Sequence, residues 1–324
     1  MSAGTVAGRR TDRRTGLSRR RFIAVCATAA LSGSSRATTV TRERFKALGG
    51  DAQITLIGHP AQARAALKAC RTEVENIEAM FSLYDPRSML SRLNRDGQVQ
   101  TSDAFVLLMR RALAMAAATG GAFDPTIQPL WQVLANGDDI DQARQHVDWR
   151  RVVVSQDKAY FTEAGMAISL NGIAQGHAAD RVSELLSHHG FTNTLVDLGE
   201  FVARGTKDGE PWRLGIRNPV SGRIERPIDL RVRSNTSAIA TSEPRGTLVS
   251  GQAHIMDPLA RDGERWASVT VEARSAWRAD ALSTSIAASP TIEVERLLAT
   301  GAATRAWLID ASGHLVQWKA EGVV

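Results

Sequence analysis

Three short stretches of the chain hold residue types that do chemistry. In Ala279-Asp280-Ala281-Leu282-Ser283-Thr284, on a predicted helix, Asp280 and Thr284 are four residues apart and share a face. A carboxylate and a hydroxyl, completed by a backbone carbonyl and phosphate oxygens, suit Mg2+, which commonly uses only one or two protein carboxylates. The same spacing also serves as a cap or a surface feature. His254-Ile255-Met256-Asp257-Pro258 puts an imidazole three residues before a carboxylate. Such a histidine takes a proton from an attacking hydroxyl near neutral pH, and the aspartate orients it or assists a metal. A structural loop histidine has the same pattern. The third stretch, Asn171-Gly172-Ile173-Ala174-Gln175-Gly176, turns from a predicted strand into a helix. Its backbone N–H groups and the helix dipole favour an anion such as phosphate, and an ordinary strand-to-helix turn reads the same way.

Other chemistries lack their motifs. The glycine turn matches neither G-x-G-x-x-G nor a lysine-bearing P-loop, which removes the main support for a nicotinamide cofactor or an ordinary nucleotide triphosphatase. No G-x-S-x-G elbow is present, and His188-His189 are adjacent, so they cannot share a helix face as zinc ligands would. Two aromatic segments complete the set. Phe81 to Asn94 carries Tyr84 ahead of a polar loop, and Gly121-Ala122-Phe123-Asp124-Pro125-Thr126 is a tight turn with a ring and a carboxylate. Rings there could stack on a flat base, or simply pack a loop hinge.

These segments need elements to hold them. Phe45 to Gly58 is β-favouring around Gln53-Ile54-Thr55-Leu56-Ile57 and breaks at His59-Pro60. A helical stripe over Ala61 to Phe81 stops at Asp85-Pro86, and a second helix runs from an N-cap at Ser102 to Thr119 before Gly120-Gly121. Residues 126 to 150 read as short helical pieces, Val152 to Phe161 and Met166 to Leu170 as strands, and Gln175 to His189 as a helix. Strands are expected at Leu195-Val196, Phe201-Val202, Trp212 to Ile216, Ile228 to Val232, Ser237 to Ala240 and Ala267 to Val271. Helices at Ala279 to Ala288 and Thr291 to Ala299 precede strands at Ala303 to Ile309 and His314 to Trp318. Helices and strands in blocks, joined by hairpin-length connections, predict a mixed α+β domain with a largely antiparallel sheet core and packed helices.

Composition places the charge. The 324 residues are 43% hydrophobic and 23% charged, ordinary for a globular chain. Of the formal charge of +6, residues 1–37 supply +7, from eight arginines and Asp12, so the remainder is near neutral. The basic balance is therefore no argument for nucleic-acid binding. Those first residues follow a signal-peptide layout: Ser18-Arg19-Arg20-Arg21-Phe22-Ile23, an apolar run from Ala24 to Leu31, then small residues to Ala37. The run is about half the roughly 20 residues needed to span a bilayer. The paired arginines resemble a twin-arginine export signal. The expectation is a leader over 1–37, export by the twin-arginine machinery, a periplasmic domain over 38–324, and Cys70 as the sole cysteine of the mature chain.

Taken in order, seven segments resemble the ApbE family of FAD:protein FMN transferases. They are Phe81 to Asn94, Gly121 to Thr126, Leu170 to Asp180, Val196-Asp197-Leu198-Gly199, Ala240-Thr241-Ser242, His254 to Pro258 and Ala279 to Thr284. The resemblance runs from about Phe45 to the C-terminus. It implies an enzyme that takes FAD with Mg2+, splits the pyrophosphate, attaches FMN through a phosphoester to a Thr or Ser of a flavoprotein, and releases AMP. It also implies site residues. Asp280 and Thr284 match side-chain metal ligands, with the Gly172 carbonyl as a backbone ligand. Leu48, Tyr84, Ala122, Phe123, Asp124, Gln175 and Ile255 match flavin-binding positions, and His254 and Asp257 the family's His-x-x-Asp, with His254 assisting deprotonation of the target hydroxyl. Departures from the usual pattern change charge: Ser169 and Gln175 stand for an acidic and a basic residue, and Glu200 and Glu243 for glycines; Leu48-Gly49-Gly50 also replaces the usual Met-Gly-Thr. These departures resemble the exported NosX-like branch, which implies a membrane-anchored acceptor flavoprotein with a periplasmic FMN domain, associated with nitrous oxide reduction. Two alternatives keep the same site: an FAD-binding or flavin-delivery protein without transfer, and an FAD pyrophosphatase.

Overall fold

The computed structural model describes residues 23–25, 39–136, 140–230 and 236–320. Within the predicted leader, Ile23–Val25 forms a short strand, β1. The rest of that leader lies outside the described residues, as do the last two residues of the strand expected to end at Val232. Strands β2 (Thr39–Ala47) and β3 (Gly50–Gly58) form a hairpin. Its turn residues, Leu48 and Gly49, have φ of +50° and +75°, the left-handed pair that a two-residue turn between twisted strands requires.

Helix α1 (Pro60–Phe81) opens with proline in its first turn, where no amide hydrogen is needed, and buries Leu67, Cys70, Val74, Ile77 and Phe81 along one stripe. Burial also pushes the Cys70 thiol up to about 12, which leaves it unreactive. A short helix α2 (Met89–Asp96), strand β4 (Gln98–Gln100) and helix α3 (Asp103–Ala118) follow. The Ser102 hydroxyl accepts from the Phe105 amide at 3.4 Å as the predicted cap of α3. Helices α4 (Gln128–Asn136) and α5 (Ile140–Arg144) lead to the hairpin β5 (Val152–Val154) and β6 (Lys158–Phe161), and then to helix α6 (Ala174–His188).

The rest of the chain is mostly sheet. Strands β7 (Thr194–Asp197), β8 (Phe201–Arg204), β9 (Trp212–Arg217), β10 (Ile224–Leu230) and β11 (Ser237–Ser242) come first. A small hairpin, β12 (Leu248–Val249) and β13 (Gln252–Ala253), precedes β14 (Ser268–Ala273) and helix α7 (Ala276–Ala288). Helix α8 (Val294–Leu298) and strands β15 (Arg305–Ile309) and β16 (Leu315–Lys319) close it. Eight strands form one sheet in the order β16-β15-β14-β11-β8-β7-β3-β2, with every neighbouring pair antiparallel.

Alternation along the strands decides what covers each face. Ile54, Val196, Ala238, Val269 and Val271 point to α1, α6 and α7. Leu195, Phe201, Ile239 and Trp307 point the other way, onto Trp212, Leu214, Ile228 and Leu230 of the β9-β10 layer, whose outer edge pairs with β1. The mixed, antiparallel α+β architecture is the one expected.

Three local expectations are corrected. Met89–Asp96, read as polar loop, is helical, because Ser88 caps its start and Gly97, at φ +71°, ends it. Val152 to Phe161 is two short strands with a turn between them. Met166 to Leu170 forms no ladder; the Asn94 amide side chain bonds the Ile168 N–H at 2.7 Å and its carbonyl at 2.8 Å, standing in for a neighbouring strand.

Candidate active site

The helix-covered side of the sheet opens into a cleft of about 860 Å3, within the range of pockets that hold a ligand of cofactor size. One wall is the pair α6 and α7. Asp280 and Thr284 project into the cleft from successive turns of α7, and Asp280 is buried. The Gly172 turn packs directly on them: a Cβ at Gly172 would stand 2.9 Å from Thr284 Oγ1, so only glycine brings the backbone this close. Gly176 donates its N–H to Asp280 Oδ2 at 3.0 Å, which fixes the carboxylate's orientation. Ser242, at the end of β11, reaches Ser283 Oγ at 2.8 Å and Thr284 Oγ1 at 3.3 Å. The result is an oxygen-only cluster of a carboxylate, hydroxyls and a close backbone turn, the donor chemistry of a hard divalent cation.

The opposite wall carries the rings and loops. Leu48 and Tyr84 lie at the cleft, with the Tyr84 ring 76% exposed, and Ala122, Phe123 and Asp124 line it from the turn after α3. Asp124 is held rather than free. Its carboxylate accepts from the Thr126 N–H at 2.8 Å, the Thr126 hydroxyl at 2.6 Å and the Trp149 N–H at 3.2 Å. Burial raises its pKa, and these bonds oppose the rise. Gln175 lines the cleft and lies across Gly199, where a Cβ would come within 2.9 Å of its side-chain nitrogen.

His254 and Ile255 line the cleft from the loop after β13. The His254 Nδ1 is 3.0 Å from both the Pro244 and the Thr247 carbonyl oxygens. Carbonyls only accept, so Nδ1 carries the hydrogen and Nε2 bears the lone pair in the neutral ring. Trp131 Nε1 donates to the His254 carbonyl at 3.2 Å, and Arg144 Nη1 to the carbonyls of Asp257 and Pro258 at 3.0 Å each.

Asp257, paired with His254 in the expected proton chemistry, does not line the cleft. Its carboxylate binds Arg261 through Oδ2 to Nε at 2.9 Å and Oδ1 to Nη2 at 3.0 Å, and accepts the Leu259 and Arg261 amides. That bidentate pair folds the loop behind the histidine. The other expected site residues all meet in this one cleft, as do Ser169, Glu200 and Glu243. Glu200 accepts from the Thr241 N–H at 3.1 Å. Glu243 is buried beside the Ser268 hydroxyl, and burial pushes its carboxyl up to about 8 against the opposing pull of Ser268 and Arg217.

Sequence reasoning missed Trp131, Arg144 and Asp180, which act by holding site loops and helices. The first two bind loop carbonyls more than a hundred residues away in sequence, and no local spacing signals that. Asp180 lies in the segment Leu170 to Asp180, but only the packing of α6 on α7 shows its partners.

A model of the ApbE family matches residues 48–308. The FAD:protein FMN transferase of Klebsiella pneumoniae (strain 342) is 26% identical over 287 residues, covering 79% of this chain and 81% of that protein. The Escherichia coli (strain K12) protein of that name is 27% identical over 282 residues, covering 78% of this chain and 79% of its own. The solved structure of the ApbE protein from Thermotoga maritima superposes with a TM-score of 0.76 at 25% identity, over 87% of this chain and 97% of that one. With its antiparallel fold superposing on a solved ApbE protein and a family match over most of its length, the chain belongs to the ApbE family.

Proposed function

We propose that the protein is a Mg2+-dependent FAD:protein FMN transferase that works after export and modifies a Thr or Ser of a periplasmic or membrane-anchored flavoprotein. The observation that carries this reading is the convergence in one cleft of His254, the Asp280–Thr284 cluster and the expected flavin-binding residues. The names of the relatives agree with it. Export is supported by the paired arginines and short apolar run of the leader.

The residues fit a cation in their chemistry: Asp280 and Thr284 would hold it, with the Gly172 carbonyl as third protein ligand. When bound, it draws negative charge from the transferring phosphoryl group. His254 Nε2 takes the proton of the acceptor hydroxyl, whose oxygen forms a bond to the FMN phosphorus while the bond from that phosphorus to the oxygen bridging to AMP breaks. AMP leaves with that oxygen, and the proton remains on His254. The Pro244 and Thr247 carbonyls hold Nδ1–H and so keep Nε2 in the basic tautomer before attack.

The placement of Ser169, Gln175, Glu200 and Glu243 in the cleft favours a second reading, an FAD carrier that does not transfer. The mature protein incubated with FAD, Mg2+ and a periplasmic FMN-acceptor domain decides between them. Transfer predicts an FMN-sized gain in acceptor mass and in-gel flavin fluorescence, both lost with chelator, with Asp280→Ala and with His254→Ala. Tight FAD binding with no gain across several acceptors would establish the carrier, and free FMN with unlabelled acceptor the pyrophosphatase.

A further inference from the structure

The helices that form the metal wall of the cleft are tied crosswise within their first two turns. Gly176, near the start of α6, gives its N–H to Asp280 on α7 at 3.0 Å. Asp180, one turn further along α6, accepts from the amides of the first two residues of α7: Ala276 N at 2.8 Å through Oδ1 and Trp277 N at 3.0 Å through Oδ2. The first amides of any helix lack intrahelical partners. Ser275, which occupies the N-cap position of α7, makes no side-chain cap bond, so the cap comes from the neighbouring helix. Ala276 is fully buried, so water is a poor substitute at its amide, whereas Ser275 and Trp277 beside it are half-buried.

The contact is made at backbone distance. A Cβ at Gly176 would stand 2.3 Å from the Ala276 carbonyl oxygen, so only glycine permits this approach. With both its oxygens engaged, Asp180 sets the rotation and the rise of the first turn of α7, from which Asp280 follows one turn later and Thr284 the next. Ligand sets tolerate errors of only about 0.5 Å, so whatever fixes this helix fixes the site.

We infer that Asp180 is a positioning residue for the cation, capping the helix that carries Asp280 and Thr284 and thereby setting where those two ligands stand. This rests on the reading of Asp280 and Thr284 as Mg2+ ligands. Asp180 itself touches no reacting atom.

The test uses the whole chain and Mg2+ itself, followed by calorimetry and by the Mg2+-induced rise in unfolding temperature, with FAD affinity in the absence of Mg2+ as a second readout. Asp180→Asn, which replaces one of the two accepting oxygens by a donor NH2, is expected to weaken Mg2+ binding about 10-fold or more while FAD affinity without Mg2+ stays within about twofold. Leu186→Ala, a fully buried change on the same helix, serves as the control for plain destabilisation: it lowers the unfolding temperature and leaves Mg2+ affinity unchanged. An Asp180→Asn protein that binds Mg2+ as the wild type does would overturn the inference. If Asp180→Asn is recovered unfolded, Asp180→Glu, which keeps the charge but moves both oxygens by one methylene, is judged by the same criterion. A wild-type chain with no Mg2+ response overturns the metal reading instead.

Discussion

Three residues separate His254 from Asp257, yet their side chains do different things. The imidazole is anchored at Nδ1 inside the cleft, whereas the carboxylate faces Arg261 and the loop amides behind it. The Asp257 side chain is 5% exposed and Arg261 closes a further bond to Ser289 Oγ at 2.7 Å, so the pair is largely removed from water and holds the loop against the end of α7. Arg261 also reaches Glu293 Oε2 at 3.3 Å, so loss of the Asp257 charge weakens its compensation without abolishing it. Asp257→Asn should therefore destabilise the fold by roughly 1.5–3 kcal/mol and lower transfer, yet leave the shape of the pH–rate profile intact. Thermal unfolding and pH–rate curves of the variant check this, and a displaced acid limb would return Asp257 to proton handling.

At the scale of elements, the site depends on how closely α6 and α7 approach. Gly176 has no room for a methyl group, and the atom in the way is a backbone carbonyl that cannot rotate aside. Gly176→Ala must push the two helices apart, at a cost of about 1–3 kcal/mol for overpacking. It also lengthens the hydrogen bond from the backbone N–H of residue 176 to Asp280. The expected outcome is a lower unfolding temperature together with a higher Mg2+ concentration for half-maximal transfer. A variant with wild-type values for both would show that the wall yields without affecting the ligands. Helix α7 combines a local and a distant determinant. Its sequence predicts the shared face of Asp280 and Thr284, which is a property of helical spacing, but not its cap, which belongs to Asp180 on another element.

For the whole molecule, the buried carboxyl of Glu243 couples folding to pH. Burial raises its folded pKa to about 8, above the ordinary carboxylate value of 4.5, so the folded state holds a proton that the unfolded chain releases earlier. Stability from this group is fully present below about pH 4.5, declines as pH rises through the window up to about 8, and changes no further above it. Glu243→Gln removes that dependence: relative to the wild type, its unfolding temperature should gain most at pH 8 and least at pH 5. A constant difference across that range would place the carboxyl's titration elsewhere. Much of the molecule was legible beforehand. Periodicity located α1, α3, α6 and α7 to within a few residues, because each buries a continuous apolar stripe, and motif order brought together residues that share the cleft. What the sequence by itself determined was local: helical spacing, turn glycines, alternation along strands and the chemical types at the site. Only the tertiary structure decided that Asp257 faces Arg261 rather than the cleft, that Asn94 replaces a strand beside Ile168, and that Asp180 caps a helix beginning 96 residues later. Those are contacts between distant segments, set by packing and by the need to pair every buried polar group, and neither constraint leaves a signature in residue spacing.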